Sequence, residues 1–398
     1  LLRFLPGILW RVENEMMAKI FSLANELLAS IFKHLNGIEL AVVARTCQRF
    51  HDASLIDQIW QHLCFREYGV FSLEQWSLTS FRDLYILVLH KYGCLLGVWK
   101  CNINPYGGLV HIKASPGRIE ALECRAPFDP EITSPLRPKV MFTITVQDGE
   151  IVALCFSDWE VEPHRGKLSL EENEEGEVVQ FSFKCDSESK HEIPTDREEG
   201  MGVLRRWMKE EYNNENLLFY QPHMVQLVLM KYVTMHSLHK HPLHFEALRI
   251  PRRSGNNSLL APGVFKGTYS SHGVELVMIS FTDQKMTGTK ITGDPNVPGG
   301  EVTFDVDLTK PLPDEAAANS GEPKTFSLPQ GYEARYTDFP SHYKARFHSV
   351  GQIASHGFVS PQWTPAHFVL FNDDLFGFLW IELMAFSVYS RVTEPFLK

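Results

Sequence analysis

The chain has 398 residues, of which 44% are hydrophobic and 22% are charged. That composition excludes a wholly disordered protein and a collagen-like one, because both lack the large apolar residues that fill a core. The length predicts two or three domains at roughly 150 residues each. Thirty-eight Lys and Arg against 48 Asp and Glu give a net charge of −10, which argues against a nucleic-acid partner. No run reaches the ~18 apolar residues of a membrane-spanning helix, so we expect no membrane partner.

The cysteines and the first residues bear on the cellular compartment. Seven Cys is an odd number, and they are widely spaced, which favours a reducing compartment over a disulfide scaffold. The chain does not begin with Met, and residues 1–20 lack the charged, apolar and small-residue order of a signal peptide. We therefore expect a cytoplasmic and nuclear protein, and we leave residues 1–20 as an unassigned N-terminal extension.

Residues 21–70 are predicted to form three short amphipathic helices. Apolar residues recur at helical spacing in residues 23–35, 40–47 and 55–63. Three helices in about 50 residues bury little apolar surface on their own, so such a unit usually docks on something larger. Residues 71–93 are predicted as a helical linker, with a helix that starts at Trp76.

From residue 94 the pattern changes to short alternating apolar runs punctuated by Gly and Pro, which predict strands. About ten strands in residues 94–398 are too many for an open twisted sheet, so we predict a largely antiparallel β-barrel. Residues 150–195 and 197–240 are predicted as insertions, the second of them helical, and residues 311–325 as a flexible loop. The fold class is therefore α+β, with a helical N-terminal unit, a helical linker and a β-barrel with inserted helices.

The motifs of common enzyme classes are absent from the sequence. It contains no phosphate-binding loop, no dinucleotide-binding glycine motif, no zinc-protease helix and no nucleophile elbow. No nucleophile stands beside its base at a recognisable spacing. We therefore expect a non-catalytic protein, while catalytic groups far apart in sequence would escape this test.

Residues 23–60 resemble the F-box, the helical motif by which substrate receptors dock on the Skp adaptor of cullin-based ubiquitin ligases. Such helices present apolar side chains that become buried only on a partner. The usual Leu-Pro is replaced here, since Ala24 and Asn25 follow Leu23. From the residues alone, an ordinary three-helix subdomain is equally consistent. The matching positions are Leu23, Glu26, Leu27, Leu28, Ile31, Leu35, Leu40, Val43, Cys47, Phe50, Ile59 and Trp60, and all but Phe50 are predicted to contact the adaptor.

The resemblance extends over nearly the whole chain, to the F-box only protein 31 family. Residues 93–110, 263–299 and 351–391 look like the substrate-binding domain of that family over long stretches. The resemblance implies an F-box followed by a β-barrel that captures the C-terminal tails of substrates, namely D-type cyclins or proteins with amide-ended C-termini. It also implies roles in the cell cycle and the DNA damage response, with proteasomal degradation of the ubiquitinated substrate.

Two Cys and two His are spaced as C-x8-H-x20-C-x5-H, at Cys155, His164, Cys185 and His191. Thiolate and neutral imidazole suit Zn²⁺, and four protein ligands would close a structural tetrahedral site. The spacing is not that of a zinc finger, so the residues alone favour two half-buried Cys and two solvated His. The resemblance implies the zinc site instead, since the related receptors bind zinc through a Cys-His-Cys-His set at matching positions.

A Gly- and Pro-rich loop, residues 288–300, interrupts the strands and exposes backbone groups that can hold a peptide end. Lys290 can pair with a terminal carboxylate, whereas Asp294 can accept hydrogen bonds from a terminal amide and repel a carboxylate. The alternative is a tight turn in which Asp294 satisfies its own backbone. The predicted substrate-binding residues are Lys290, Thr292, Gly293, Asp294, Pro295 and Asn296, and the aromatic candidates for the lining are Tyr269, Phe358, Trp363 and Trp380.

Together these patterns predict a non-catalytic substrate-recognition subunit of an SCF-type (Skp–cullin–F-box) ubiquitin ligase. It would act by proximity, because it raises the concentration of the substrate near the ubiquitin carrier. The alternative is a lipocalin-like barrel that carries a small ligand and needs no partner for residues 23–60. A zinc-dependent hydrolase is a third interpretation, and four protein ligands argue against it because no metal position stays open for water.

Overall fold

The structure is a computed structural model, and it describes residues 20, 22–156, 162–221, 224–251, 259–313 and 324–397. The predictions for residues 1–19 and for residues 314–323 of the flexible loop lie outside the described residues. The chain divides into two compact units. The first comprises Leu1–Leu96, Lys113–Glu120 and Thr143–Val152, and the second comprises Gly97–Ile112, Ala121–Phe142 and Ala153–Lys398.

Four helices open the first unit, where the sequence predicted three. They are α1 Asn25–Phe32, α2 Gly37–Ala44, α3 Gln48–Ser54 and α4 Asp57–Tyr68. Asn36 begins α2 with a capping box: its Oδ1 accepts from the Glu39 backbone N–H, and Glu39 Oε2 accepts from the Asn36 backbone N–H, both at 2.9 Å. Gly69 ends α4 in the left-handed region, at a φ of 71°.

A helical linker follows and shares the apolar core of the first unit. It runs through Phe81–Asp83, the π-helical Leu84–Leu89 and His90–Tyr92. The predicted start at Trp76 is too early, because the helix begins where Ser80 Oγ accepts from the Asp83 backbone N–H. The buried side chains of this unit include Leu28, Leu40, Ile59, Trp60, Leu63, Trp76, Leu84, Val88 and Leu89.

A closed sheet of eight strands forms the first barrel. Its strands are β1 Gly97–Cys101, β2 Leu109–Ser115, β3 Arg118–Arg125, β4 Arg137–Gln147, β5 Glu150–Cys155, β6 His164–Glu172, β7 Val178–Cys185 and β8 Leu243–Ala247. Each strand pairs with the next, and β8 pairs antiparallel with β1, where Phe245 lies opposite Cys101. Closure leaves no strand edge open to another chain.

The stretch predicted as helical, between β7 and β8, contains α5 Arg197–Tyr212, α6 Leu217–Tyr220 and α7 Val225–Ser237. Asp196 caps α5, since its Oδ1 accepts from two backbone N–H groups of the first turn. An ion pair of 2.6 Å between Lys231 Nζ and Glu211 Oε1 joins α7 to α5. No helix in the described part of the chain is both long enough and apolar enough to cross a membrane.

The second barrel is built from the remaining strands. They are β9 Gly263–Thr268, β10 Val274–Phe281, β11 Lys285–Lys290, β12 Val302–Pro311, β13 Glu333–Ala334, β14 Ala345–Ser355, β15 Val359–Asn372, β16 Leu375–Trp380 and β17 Ala385–Arg391. The sheet closes where β17 pairs with β9, with Tyr389 opposite Gly267, and β13 adds a short parallel pairing to β17. Its core is rich in fully buried Phe, including Phe265, Phe304, Phe368, Phe376 and Phe378.

The strands therefore form two barrels where the sequence predicted one. Residues 150–195 are not an insertion, because they supply β5, β6 and β7 of the first barrel. The alternating pattern identifies a strand and its buried face, and it carries no information on which strand closes a cylinder. The fold class itself is confirmed as α+β, with helices followed by closed antiparallel sheets.

The loop after β1 meets the loop after β11 through backbone hydrogen bonds. The Gly293 and Gly299 N–H groups donate to the carbonyls of Tyr106 and Pro105 at 2.9 and 2.8 Å. Gly107 sits at this junction with a φ of 61°, and a Cβ placed there would run into the carbonyl oxygen of Ile291. Only glycine fits both the left-handed backbone and the close approach.

We expect Gly107→Ala to lower the free energy of unfolding by roughly 3 kcal/mol, from about 1–2 for the left-handed backbone and a similar amount for the clash. Gly149→Ala is the matched control, because Gly149 has a φ of 80° and no atom within 4 Å of the added Cβ. Urea unfolding of the two variants measures the difference. Equal destabilisation by both would contradict the close approach at Gly107.

Candidate functional site

The helical unit exposes a group of apolar side chains. On α1, Leu27 and Ile31 are 54% and 48% exposed, one helical turn apart. On α2, Ile38 and Val42 are 68% and 59% exposed, also four residues apart. Four large apolar side chains at the surface of so small a unit are a mark of a docking face. We call these four residues the apolar face.

The residues predicted to contact the adaptor fall into three groups. Leu27, Ile31 and Glu26 are exposed, and Leu23, Leu35, Val43 and Cys47 are half-buried. The structure instead buries Leu28, Leu40, Ile59 and Trp60, with at most 6% exposure, so these four form the core that shapes the helices. Sequence analysis missed Ile38 and Val42. The sequence did carry a signal for these two residues. The α2 segment is apolar on nearly all sides, whereas a helix at the protein surface needs only one apolar face.

The two Cys and two His predicted as a set come together at one end of the first barrel. Cys155 is the last residue of β5 and His164 the first of β6, and the two are paired across the strands. Cys185 is the last residue of β7, which runs antiparallel to β6 and so ends on the same side. His191 closes a short 3₁₀ turn just beyond. All four are buried, which rules out the alternative of solvated histidines.

The ligand atoms of these four residues face one another. Nε2 of His164 lies 2.9 Å from Cys185 Sγ and 2.9 Å from His191 Nε2, and His191 Nε2 lies 3.4 Å from Cys185 Sγ and 3.7 Å from Cys155 Sγ. The four atoms all lie within 4.8 Å of one another. Burial raises the pKa of the Cys185 thiol to about 11, so a cation bound here would displace its proton. The cluster can hold one metal ion.

Neighbouring groups orient two of these ligands. Nδ1 of His164 lies 3.1 Å from the Glu162 carbonyl, and since a carbonyl only accepts, Nδ1 carries the hydrogen and Nε2 presents its lone pair to the cluster. The backbone N–H of Ser187 donates to Cys185 Sγ at 3.2 Å. Both contacts favour the forms of His and Cys that bind a metal.

Lys290, at the end of β11, is a buried lysine with 2% of its surface exposed. Its Nζ lies 2.5 Å from Asp294 Oδ2 and 2.6 Å from Glu275 Oε2, and 4.2 Å from the centre of the Tyr269 ring. One ammonium is therefore shared by two carboxyl groups and an aromatic face. The cation holds the loop after β11 in place rather than standing free.

Asp294 also holds the loop as a turn, which is the alternative that the sequence left open. Its Oδ1 accepts from the backbone N–H groups of Asn296 and Val297 at 2.6 and 3.0 Å. Burial raises the pKa of Asp294, but the positive charge of Lys290 outweighs it and lowers that pKa to about 2. Asp294 is thus ionised at neutral pH, and both of its oxygens are engaged.

A cavity of about 420 Å³ opens beside this turn in the second barrel. Three of the predicted substrate residues, Lys290, Asp294 and Asn296, line it. Thr292 and Gly293 line a separate cavity of about 270 Å³, and the Pro295 carbonyl accepts from the backbone of the turn between β14 and β15. We call the larger cavity the tail pocket. Its other lining residues include Tyr269, His272, Thr303, Gln352, Trp380 and Ser387.

Two of the aromatic predictions reach the tail pocket and two do not. Tyr269 and Trp380 line it, whereas Phe358 and Trp363 lie outside the lining. Sequence analysis missed Glu275 and Gln352. Glu275 left a signal, since a single acid in the apolar strand β10 needs a buried partner. Gln352 left none, because a Gln on a strand is ordinarily exposed.

Comparison with known proteins agrees with this layout. Residues 20–66 match the family model "F-box-like", and residues 245–395 match the family model "Cyclin D1 binding domain". The first covers the four helices, and the second covers the barrel that contains the tail pocket. An F-box is the module that docks on a Skp adaptor, so the order of the two regions is that of an SCF substrate receptor.

Curated relatives match over almost the full length. F-box only protein 31 of Mus musculus is 33% identical, and the match covers 95% of this chain and 85% of the relative. The Homo sapiens protein is 31% identical over 95% of this chain and 84% of its own, and F-box only protein 31-B of Xenopus laevis is 32% identical over the same shares. With one F-box, one cyclin-binding region and matches of this extent, the chain belongs to the F-box only protein 31 family.

Proposed function

We propose that this substrate receptor docks on its Skp adaptor through the apolar face and holds the C-terminal tail of a substrate in the tail pocket. The chain itself supplies no chemistry, and it acts by keeping the substrate near the ubiquitin carrier of the cullin complex. Ubiquitination then directs the substrate to the proteasome. The observation that carries the proposal is the charge-compensated pocket around Lys290 in the barrel that matches the cyclin-binding family.

The apolar face has the features of a partner surface. Its four side chains, Leu27, Ile31, Ile38 and Val42, are exposed, and the core beneath the two helices is filled by other residues. Exposure of these four apolar side chains to water does not stabilise the isolated chain. Burying four such side chains on an adaptor would contribute several kcal/mol, at about 1.5–3 for each full burial. Leu28 and Leu40 point inward and fix the helices that present them.

The adaptor proposal predicts that Leu27→Asp with Ile31→Asp abolishes binding, because two charges would be buried in an apolar interface. The chain is co-expressed with a Skp adaptor and run on size-exclusion chromatography. Val359→Asp is the matched control. Val359 is 56% exposed on the second barrel, so this variant also replaces an exposed apolar side chain by Asp, but outside the proposed adaptor surface. Co-elution of the double variant with the adaptor would contradict the proposed face.

The charges of the tail pocket favour an amide-ended tail over a free carboxylate. Lys290 is the only cation lining the pocket among the described residues, and Asp294 and Glu275 already surround it. With both acids ionised the group has a net charge of −1, and with a proton on Glu275 the net charge is zero. Neither state attracts a carboxylate. An amide end is neutral and carries two N–H donors.

A buried acceptor in the same pocket supports this preference. Gln352 Oε1 is buried without a hydrogen-bond partner among the described residues, and Gln352 lines the pocket. A terminal amide can donate to it, and a terminal carboxylate cannot. An unmade hydrogen bond at a buried acceptor costs about 1–3 kcal/mol, so its completion by a ligand is favourable.

The second candidate substrate is a cyclin-type tail, which the name of the matching family favours. Such a tail ends in a free carboxylate, and it would need to draw Lys290 away from one of its two acids. We therefore expect a D-type cyclin tail to bind in the same pocket, and more weakly as the free acid than as the amide.

This preference predicts that an amide-ended peptide binds about tenfold more tightly than the same peptide with a free-acid end. Both peptides carry the last ten residues of a D-type cyclin and are acetylated at the N-terminus. A single hydrogen bond or a screened unit charge at this site accounts for a factor of that size. Isothermal titration with the adaptor-bound chain measures both affinities. Equal affinities would sink the amide preference.

We also propose that the Cys-His-Cys-His cluster holds a structural Zn²⁺. Bond lengths of about 2.1 Å to nitrogen and 2.3 Å to sulfur give tetrahedral edges of roughly 3.3–3.8 Å. These edges fall within the range of spacings of the four ligand atoms, which runs from 2.9 Å to at most 4.8 Å. Cys155, His164, Cys185 and His191 would fill all four positions, so the ion would stabilise the ends of β5, β6 and β7 and bind no substrate. We further propose a cytoplasmic and nuclear location, because the odd number and wide spacing of the seven Cys favour a reducing compartment.

The zinc proposal predicts about one Zn per purified chain by elemental analysis, and loss of that metal in Cys185→Ser. The variant is also expected to unfold at a lower temperature, because a closed site contributes its binding free energy to folding. Cys94→Ser is the matched control at an exposed cysteine outside the cluster, and it should keep both the metal and the melting temperature. A wild-type chain without metal that unfolds like Cys185→Ser would overturn the proposal.

The alternative of a lipocalin-like carrier gains no support from the described residues. A carrier of that kind needs an empty apolar interior, and the second barrel is filled by the side chains of its Phe-rich core. The first barrel likewise contains stacked rings, with Phe181 and Phe245 4.4 Å apart between centroids.

A further inference from the structure

Glu275 stands behind the tail pocket as the second acid at Lys290. Glu275 lies on β10 and is 3% exposed. Its Oε2 lies 2.6 Å from Lys290 Nζ, an ion pair without hydrogen-bond geometry. Glu275 does not line the tail pocket, and it contributes instead to the wall of the 270 Å³ cavity on the other side of the loop. Glu275 therefore does not contact a bound tail, and it can act on the tail only by its contact with Lys290 and by its charge.

We propose that Glu275 is a positioning residue that sets how strongly the tail pocket discriminates against carboxylate-ended tails, an inference that rests on the proposed function. Asp294 alone would balance the charge of Lys290. The second carboxyl makes the group acidic overall whenever both acids are ionised. The protonation state of Glu275 therefore sets the net charge of the Lys290, Asp294 and Glu275 group beside a tail carboxylate at zero or −1.

The unit charge on Glu275 is close enough to matter. It contacts Lys290 directly, and Lys290 lines the pocket, so a tail carboxylate would lie within several ångströms of it. At an effective dielectric constant of about 20, two unit charges at such separations interact strongly enough to change an affinity about tenfold. An amide end is neutral and is not subject to this repulsion.

The groups that face Glu275 keep a constant charge over the neutral range. Asp294 on the loop is ionised, since its pKa is about 2. Burial raises the pKa of Tyr269 and of Tyr389 well above 10, so both stay neutral, and burial lowers the pKa of His272. Lys290 on β11 supplies the shared cation. Burial first, and then the nearby Asp294 charge, raise the pKa of Glu275 itself, against the opposing effect of Lys290.

The test compares the amide-ended and acid-ended peptides on the adaptor-bound chain between pH 6 and pH 9, for the wild type, for Glu275→Gln and for Glu120→Gln. The terminal carboxyl of the peptide ionises near pH 3.5, so it is charged throughout. At pH 9, where Glu275 is most ionised within this range, we expect Glu275→Gln to bind the acid peptide about tenfold more tightly than the wild type. The two chains should bind the amide peptide equally well at every pH.

Glu120→Gln is the matched control, because Glu120 is also a buried glutamate in an ion pair, on β3, and does not line the tail pocket, so it should behave as the wild type. The same acid-peptide affinity in Glu275→Gln as in the wild type at pH 9 would overturn the role of Glu275. If Glu275→Gln fails to fold, the wild-type series still decides, since equal affinities for the acid and amide peptides at pH 9 would also overturn it. A wild type that binds neither peptide would overturn the tail pocket itself, which is a different result.

Discussion

One buried ammonium group holds the loop beside the tail pocket in place. Lys290 pairs with Asp294 and Glu275, and Asp294 in turn fixes the turn that follows through two backbone N–H groups. The same loop is hydrogen-bonded to the first barrel at Gly293 and Gly299. Removing one partner of such a buried ion pair typically costs about 3–5 kcal/mol, so the shape of the tail pocket depends on this group of charges. The proposed preference for an amide-ended tail follows from the same charges, because a cation that is already balanced does not attract a carboxylate.

The helical unit and the tail pocket have opposite distributions of apolar and charged groups. The helical unit keeps Leu28 and Leu40 inside and leaves Leu27 and Ile31 in water, so its partner must supply apolar surface. The tail pocket keeps its charges inside and balanced, so its ligand must supply hydrogen bonds and little charge. Under the proposed function, affinity for the adaptor and specificity for the substrate tail therefore rest on different kinds of interaction.

The residues whose chemistry is unusual for their setting could be singled out from the sequence, and the structure brings several of them together. The Cys and His residues at 155, 164, 185 and 191 come together because hairpin ends meet, and a loop of Gly and Pro marks the turn at Asp294. Features that depend on packing between distant parts of the chain could not be predicted from the sequence. Helical spacing cannot separate Leu27 from Leu28, since both belong to one apolar stripe and only the neighbouring helices decide which is covered. Closure into two barrels and the pairing of Glu275 with Lys290 likewise arise between strands that the local pattern does not connect.

The central claim is that the chain links an adaptor to a tail that ends without charge, and ubiquitination in a reconstituted ligase tests it most directly. The chain, a Skp adaptor, a cullin and its RING partner would be given one reporter protein with either an amide-ended or an acid-ended tail. We expect faster ubiquitin transfer to the amide-ended reporter, with no transfer when Leu27 and Ile31 are replaced by Asp. Equal transfer to both reporters, or transfer that survives the loss of the apolar face, would contradict the account.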